Sequence, residues 1–330
     1  MPLQKLQFKP GINREVTSYS NEGGWFDCDK IRFRFGYPEK IGGWEKYSSS
    51  TYLGSARALH NWVALDGSNF LGVGTHLKYY IEEGTIFNDI TPLRLTTSAG
   101  DVTFSASNGS STITVTDTSH GAVENDFVTF SGAVSLGGNV TAAILNAEHQ
   151  VVSVTNANNY TISVSVTANA SDTGNGGSSV VGAYQINVGL DTTVGGTGWG
   201  AGTWGRGTWG SAASVTTTTE LRLWSHDNFG EDLIINPIDG GVYYWDKTNT
   251  VSTRAVELST RDASARSVPT IAKQVLVSDQ DRHVIAFGCD AVNSSSSATQ
   301  GNGIQDPLLI RFSDQENPLV WFPTATNTAG

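Results

Sequence analysis

From Leu95 to Gly205 the chain has no lysine and no arginine, yet seven acids fall in the same stretch: Asp101, Asp117, Glu124, Asp126, Glu148, Asp172 and Asp191. A surface built from that segment cannot neutralise phosphates, which excludes a nucleic-acid grip there. Sulfur is scarce as well, with one methionine and two cysteines in 330 residues. Cys28 and Cys289 stand in different predicted elements without CxxC spacing or a neighbouring histidine pair, so they read as two buried thiols rather than as a disulfide. No apolar run approaches the roughly 18 to 20 residues of a membrane span, and Met1–Lys5 lacks the basic-then-apolar pattern of a signal peptide. Sustained 3.6-residue periodicity is absent too; only Leu93-Arg94-Leu95 and Val140–Leu145 leave room for a short helical turn.

Catalytic signatures are equally hard to find. Six histidines (His60, His76, His120, His149, His226, His283) are scattered without HExxH or i, i+4 spacing, so zinc hydrolysis has no ligand set. GxSxG, the phosphate-binding loop and the dinucleotide fingerprint are missing. The acid pairs Asp27/Asp29 and Asp279/Asp281 sit beside turns, where Asp stabilises a bend through its own backbone. Sialidase-type propellers carry S-x-D-x-G-x-x-W; the nearest approach, Ser225–Gly230, misplaces the glycine and lacks the tryptophan. No enzyme, cofactor or metal is expected.

What the chain does hold is glycine, 37 residues, with nine tryptophans and a stock of Thr, Ser and Val that favours strands and turns. Two distant stretches share a pattern. Leu59–Leu65 with Trp62, then Phe70–Gly74, then Leu77–Ile81 is echoed by Leu221–Ser225 with Trp224, then Asp232–Ile235, then Gly240–Asp246. In both, a Trp precedes a leucine of the next apolar stretch by nine positions, Trp62 before Leu71 and Trp224 before Leu233, and a Tyr-Tyr pair follows. A Trp-bearing strand, a buried strand, a turn and an aromatic strand make an antiparallel meander, the unit of a propeller blade. Two weaker copies follow: Lys273–Val277 with His283–Gly288, and Leu308–Phe312 with Leu319–Phe322. Blades bury their faces only by stacking, so a repeat architecture is predicted.

Composition shifts divide the chain. Residues 1–55 form an extended N-terminal arm, where Lys30–Phe35 alternates charge and apolarity as a two-faced strand does. Residues 56–97 are the first blade. Residues 98–182 carry period-two strands (Ser111–Thr116, Asp126–Phe130, Gln150–Val154, Tyr160–Val164) with Asn, Gly and Asp at the turns, which predicts an inserted small β-sandwich or barrel. Residues 183–219 are a Gly/Trp-rich connector, and 220–330 hold further blades. Only three or four blades can be counted, so the set reads as incomplete at its C-terminal end. The fold class is all-β, with propeller-like antiparallel blades. In the connector Trp199, Trp204 and Trp209 recur every five residues, an odd period that would point successive indoles to opposite sides of a strand. They read either as a contact loop or as a low-complexity tract covering its own chain.

The arm is the more basic part: its first fifty residues hold eight Lys or Arg against six acids, and the rest hold twelve against twenty-five. Its residues Pro10–Glu15, Gly23-Gly24-Trp25-Phe26-Asp27-Cys28-Asp29-Lys30-Ile31-Arg32-Phe33-Arg34-Phe35-Gly36 and Pro38–Trp44 resemble the N-terminus of packaged-DNA stabilisation proteins, the tail nozzle or hub proteins of short-tailed bacteriophages. Phe312–Pro318 with Trp321-Phe322-Pro323 resembles a blade motif of the same family. That resemblance implies a virion tail protein, assembled in the host cytoplasm as a six-fold ring below the portal and adaptor. It would close the channel after packaging and pass double-stranded DNA on ejection without reading its sequence. It also implies contacts with the portal-adaptor ring and with tail fibres or a needle. Candidate interface residues are Trp25, Arg32, Arg34 and Trp44 in the arm and Trp199, Trp204 and Trp209 in the connector, because large flat side chains bury much area in interface pockets. The rival reading is a carbohydrate-binding tail adhesin that uses the Trp tract and the insert; a glycan-degrading propeller is a third.

Overall fold

The computed structural model describes residues 8–17, 19–43, 45–136, 138–192 and 221–330. Two compact units are present, Met1–Ser49 and Ser50–Gly330. In the first, Ile31–Arg34 (β1) and Tyr37–Lys40 (β2) pair as an antiparallel hairpin with Arg34 opposite Tyr37. The alternation read from Lys30–Phe35 holds here: Ile31 and Phe33 are half-buried, whereas Arg32 and Arg34 face out.

The second unit begins with a four-stranded meander, Ala56–Val63 (β3), Asn69–Thr75 (β4), Tyr79–Glu83 (β5) and Ile86–Asp89 (β6), paired in chain order. The chain then leaves the meander and builds an eight-stranded antiparallel sheet. Its strands are Leu93–Thr96 (β7), Thr103–Ala106 (β8), Thr112–Thr116 (β9), Phe127–Ser131 (β10), Glu148–Asn156 (β11), Asn159–Ser163 (β12), Asp172–Asn175 (β13) and Val181–Gln185 (β14), ordered β13-β8-β9-β12-β11-β10-β14-β7. One turn of helix, Ala142–Leu145 (α1), lies within it, where Val140–Leu145 left room for one. Leu93–Leu95 is a strand instead: it pairs with β14, so the inserted sheet reaches from Leu93 to Gln185.

The insert folds on itself because β11 serves two partners. Its first residues pair with β10 and the remainder, after bulges, pair with β12. Such a bent strand turns a sheet's corner and closes a sandwich over one core. Alternate residues of both halves meet there: Phe104 and Ile113 from one side, Val128, Phe130 and Tyr184 from the other, with the Phe104 and Phe130 rings edge to face at 4.9 Å. The edge strands β13 and β7 do not pair, so the insert is not a closed barrel.

A second meander follows: Trp224–Phe229 (β15), Asp232–Pro237 (β16), Tyr243–Trp245 (β17) and Val256–Glu257 (β18). The third sheet has three strands, Gln274–Val277 (β19), Val284–Phe287 (β20) and Ile310–Phe312 (β21). Here the reading of two further weak copies needs correction. β21 pairs in register with β20, so both copies merge into one sheet, and Leu319–Phe322 forms no strand. Its Trp321 instead plugs the core, with its indole N–H donated to the Pro318 carbonyl at 2.7 Å.

Period-two alternation explains how three sheets stack. Along β16, Leu233 and Ile235 face the first meander, while Ile234 faces the third sheet. Tyr243 and Trp245 of β17 follow the first pair and Tyr244 follows Ile234. With both faces covered, the middle strand reads as a continuous apolar run, as doubly buried strands do. The first strands of the three sheets, β3, β15 and β19, run beside one another, the blade arrangement of a propeller.

The shared nine-residue Trp spacing does not make the two tryptophans equivalent. Trp62 lies opposite Phe70 near the hairpin loop, whereas Trp224 lies opposite Pro237 at the far end of its hairpin. The first loop holds five residues between the paired Val63 and Asn69 and the second holds two between Phe229 and Asp232, which shifts the register under an unchanged spacing. Both indoles enter the same core even so. Trp224 fits because Gly74 faces it: a Cβ there would sit 2.5 Å from the ring.

Candidate functional site

Three arrangements carry polar chemistry: the axial strands, the junction of insert and blades, and the arm hairpin. On the axial strands, His60 Nε2 lies 2.6 Å from Asn228 Oδ1, and the Tyr79 hydroxyl lies 2.8 Å from His226 Nδ1. The two imidazoles are 5.0 Å apart. Burial, reinforced by His60, holds His226 down to about 4. A neutral ring that accepts from Tyr79 suits that position. On the other side of β15, Ser225 accepts the Val275 amide at 2.9 Å and Asp227 accepts the Val277 amide at 2.9 Å. Ser225 and Asp227 thus fasten β15 to β19.

At the junction, Lys78 is 2% exposed and its ammonium lies 2.7 Å from both Asp89 and Glu148. Arg254 approaches the same carboxylates at 3.4 and 3.6 Å, and Gln185 donates to Glu148. The Phe127 ring sits 4.4 Å from the Lys78 nitrogen. Burial pushes Asp89 up, but Arg254 and Lys78 overcome it and hold the carboxyl below its ordinary range. Charges this buried are tolerable only when fully paired. The cluster joins β5 and β6 to the insert through Glu148 and Gln185. Sequence reasoning passed over Lys78; its one trace was a lone cation bordering the apolar run Tyr79-Tyr80-Ile81.

In the arm, Trp25 is half-buried between Phe8 and Phe33, with ring centroids 5.8 and 6.0 Å away. Arg32 pairs with Glu39 across the hairpin at 3.1 Å, and the Arg34 guanidinium lies 5.5 Å from the Phe35 ring. Arg32, Arg34 and Trp25 thus share one small element. Trp44, Trp199, Trp204 and Trp209 lie outside the described residues. Asp27 and Asp29 pair with Arg14 and Lys30, while Asp279 and Asp281 are exposed at the β19–β20 turn.

Among the described residues no group of three His, Cys, Asp or Glu is placed to hold a metal ion. His120 and His149 are buried and bonded to backbone carbonyls of Asn156 and of Ile144 and Leu145. Both cysteines are free, and burial pushes the Cys289 thiol up to about 11. Among the described residues no helix is long and apolar enough to cross a membrane.

No known protein-family profile matches the chain, and no curated protein is similar to it. Among solved structures, one match is the "Phage phi92 endosialidase", 13% identical, with a TM-score of 0.24, covering 69% of this chain and 33% of that one. The chain thus spans about a third of that protein's length, and at this score the likeness bears on neither fold nor activity.

Proposed function

We propose that the chain is a structural component of a short-tailed bacteriophage tail, a nozzle or hub subunit whose copies ring the DNA channel. The observation that carries this reading is the joining, in one chain, of a blade stack to an arm with the Gly23–Gly36 and Pro38–Trp44 motif that resembles that family. Charge supports it. Beyond residue 50 the chain holds twelve cations against twenty-five acids, so a wall built from it repels the DNA it must let pass. The junction around Lys78 supports it as well, since a conduit subunit must hold its insert in one orientation. On this reading the protein is not an enzyme, forms a hexameric ring beneath the portal-adaptor ring, and lets double-stranded DNA through without sequence-specific contacts.

Cryo-electron microscopy of tails containing this chain tests the proposal. An axial six-fold ring with an acidic bore supports it; a peripheral position sinks it. A second reading, a glycan-binding adhesin, draws on the outer face of the insert. There Ser105, Thr114, Thr161 and Ser153 align across four strands, and Thr103, Thr116, Asn159 and Asn156 form a second row. Uncharged hydroxyl and amide rows of this kind suit a polyhydroxyl ligand. A glycan array, with Thr114→Val and Trp204→Ala as controls, separates the adhesin from the conduit.

A further inference from the structure

The described residues of the first unit form no apolar core. No apolar side chain among its described residues is buried, and Phe8, Ile12, Tyr19, Phe26, Ile41 and Tyr47 are all exposed. Two more such side chains flank the tip of the β1–β2 hairpin, where Phe35 is 89% and Tyr37 76% accessible. Soluble surfaces do not concentrate aromatic side chains this way unless something covers them.

The turn sharpens the point. Arg34 and Tyr37 are paired, so the tip is the two-residue turn Phe35-Gly36, with φ of 51° and 83°. Left-handed backbone at both positions is the geometry for which Asn-Gly is favoured. Glycine adopts it freely; a bulky phenylalanine does so at a cost. Phe35 is therefore doubly unfavourable in the chain taken alone, strained in its backbone and wet on its ring. Strain of that kind collects at contact sites.

We infer that the Phe35-Gly36-Tyr37 tip is an assembly knob that inserts into the acidic second unit of another copy of this chain. The choice of partner rests on the ring reading above and on charge. Between Lys30 and Lys40 the hairpin holds Lys30, Arg32, Arg34 and Lys40 against the single acid Glu39. Arg34 stands over Phe35, so cation and ring are presented together. The second unit offers twenty-five acids and twelve cations as the complementary surface. A knob on one copy docked on a different surface of the next forms a heterologous contact, which generates a ring when the rotation closes.

The test is photo-crosslinking from a benzoylphenylalanine at position 35 in a mixture of light and heavy-isotope full-length chains, read by mass spectrometry. Mixed-isotope crosslinks into residues 50–330 are the expected result. Crosslinks confined within one chain, crosslinks into another copy's arm, or no crosslinks at all overturn the inference. So do crosslinks to added double-stranded DNA in place of protein. Sedimentation of variants supplies a second readout. Phe35→Asn gives the turn a residue it prefers, so the hairpin is retained or firmer, yet association is expected to weaken by about tenfold or more. Leu65→Ser, which changes an equally exposed side chain of the second unit, is expected to leave association unchanged. Unaltered association in Phe35→Asn refutes the knob. An axial ring on tails combined with no crosslinks from position 35 would reject this contact alone and leave the conduit reading standing.

Discussion

The middle blade has two faces, and they are held by different chemistry. Toward the first blade it meets rings: Trp62, Phe70 and Trp245 lie within 5.2–6.2 Å of one another, and Tyr79 stands against Trp224 at 5.1 Å. Histidines 60 and 226 lie at the axial side of this face. Toward the third blade it meets small aliphatic groups, Ala265, Ala272, Val275, Val277, Val284 and Ala286, with Trp321 as the one large ring. A buried Arg311 there donates to the carbonyls of Asp290, Ser267 and Trp321. Large rings fill a wide gap and leave large holes when removed; small side chains allow close approach and can settle after a loss. One sheet thus makes one brittle interface and one forgiving interface.

The largest expected effect tests that difference directly. Trp245→Ala should cost about 3–5 kcal/mol, whereas Ile234→Ala on the opposite face should fall toward the lower part of the usual 2–5 kcal/mol, roughly, because its alanine-rich neighbours can close in. Urea unfolding of both variants checks this; equal losses would erase the contrast. The junction with the insert is a third type of contact, held by charge. Lys78→Met should cost about 3–5 kcal/mol, since it leaves Asp89 and Glu148 facing each other with only Arg254 between them. Adding Glu148→Gln to Lys78→Met should recover part of that loss, as removing a stranded charge does.

Acid should separate the two blade interfaces. His226 is depressed from 6.5 to about 4, so the folded state favours the neutral ring. Its contribution is complete above pH 6.5 and is lost as pH falls toward about 4, because the unfolded chain takes up the proton first. The shift corresponds to roughly 3 kcal/mol at most. Asp89, held low by its cations, adds its own loss only below about pH 4. Stability measured from pH 7 to 4 should therefore slope downward, and His226→Gln should flatten that slope. The second interface is lined mainly by aliphatic groups, which do not titrate, so hydrogen exchange at β20 should respond to acid less than exchange at β4.

Much of this architecture could be read from the residues, and the failures share a cause. Alternation in Leu233-Ile234-Ile235 and in Tyr243-Tyr244-Trp245 assigns side chains to opposite faces, and turn residues bracket β9 to β12, because both are local properties of the chain. The merging of Leu308–Phe312 into the third sheet was hidden, since the partner of β21 is set by a twenty-two-residue excursion between Phe287 and Ile310. Trp62 and Trp224 look equivalent by spacing, yet loop length decides register and only tertiary pairing reveals it. Site residues were less legible. Trp25, named as an interface candidate, lies half-buried beside Phe33, while Phe35, two residues on from Phe33, looked like the end of a strand. Its left-handed turn is invisible without backbone angles. Lys78 carried almost no signal, because its partners lie at positions 89 and 148.

The smallest effect sharpens the comparison at one bond. The Ser225 hydroxyl accepts the Val275 amide at 2.9 Å and donates to Asn236 at 3.1 Å, tying the middle blade to the third at its axial strand. Two residues along, Asp227 holds the Val277 amide by the same geometry. Ser225→Ala should cost about 1–2 kcal/mol, the loss of one bond plus a stranded amide. Total stability would register little beyond that, but hydrogen exchange would resolve it. The Val275 amide should exchange faster while Val277, still held by Asp227, keeps its protection. Equal acceleration of both amides would mean that β15 and β19 part as a unit, making the axial seam between the second and third blades as brittle as the aromatic face.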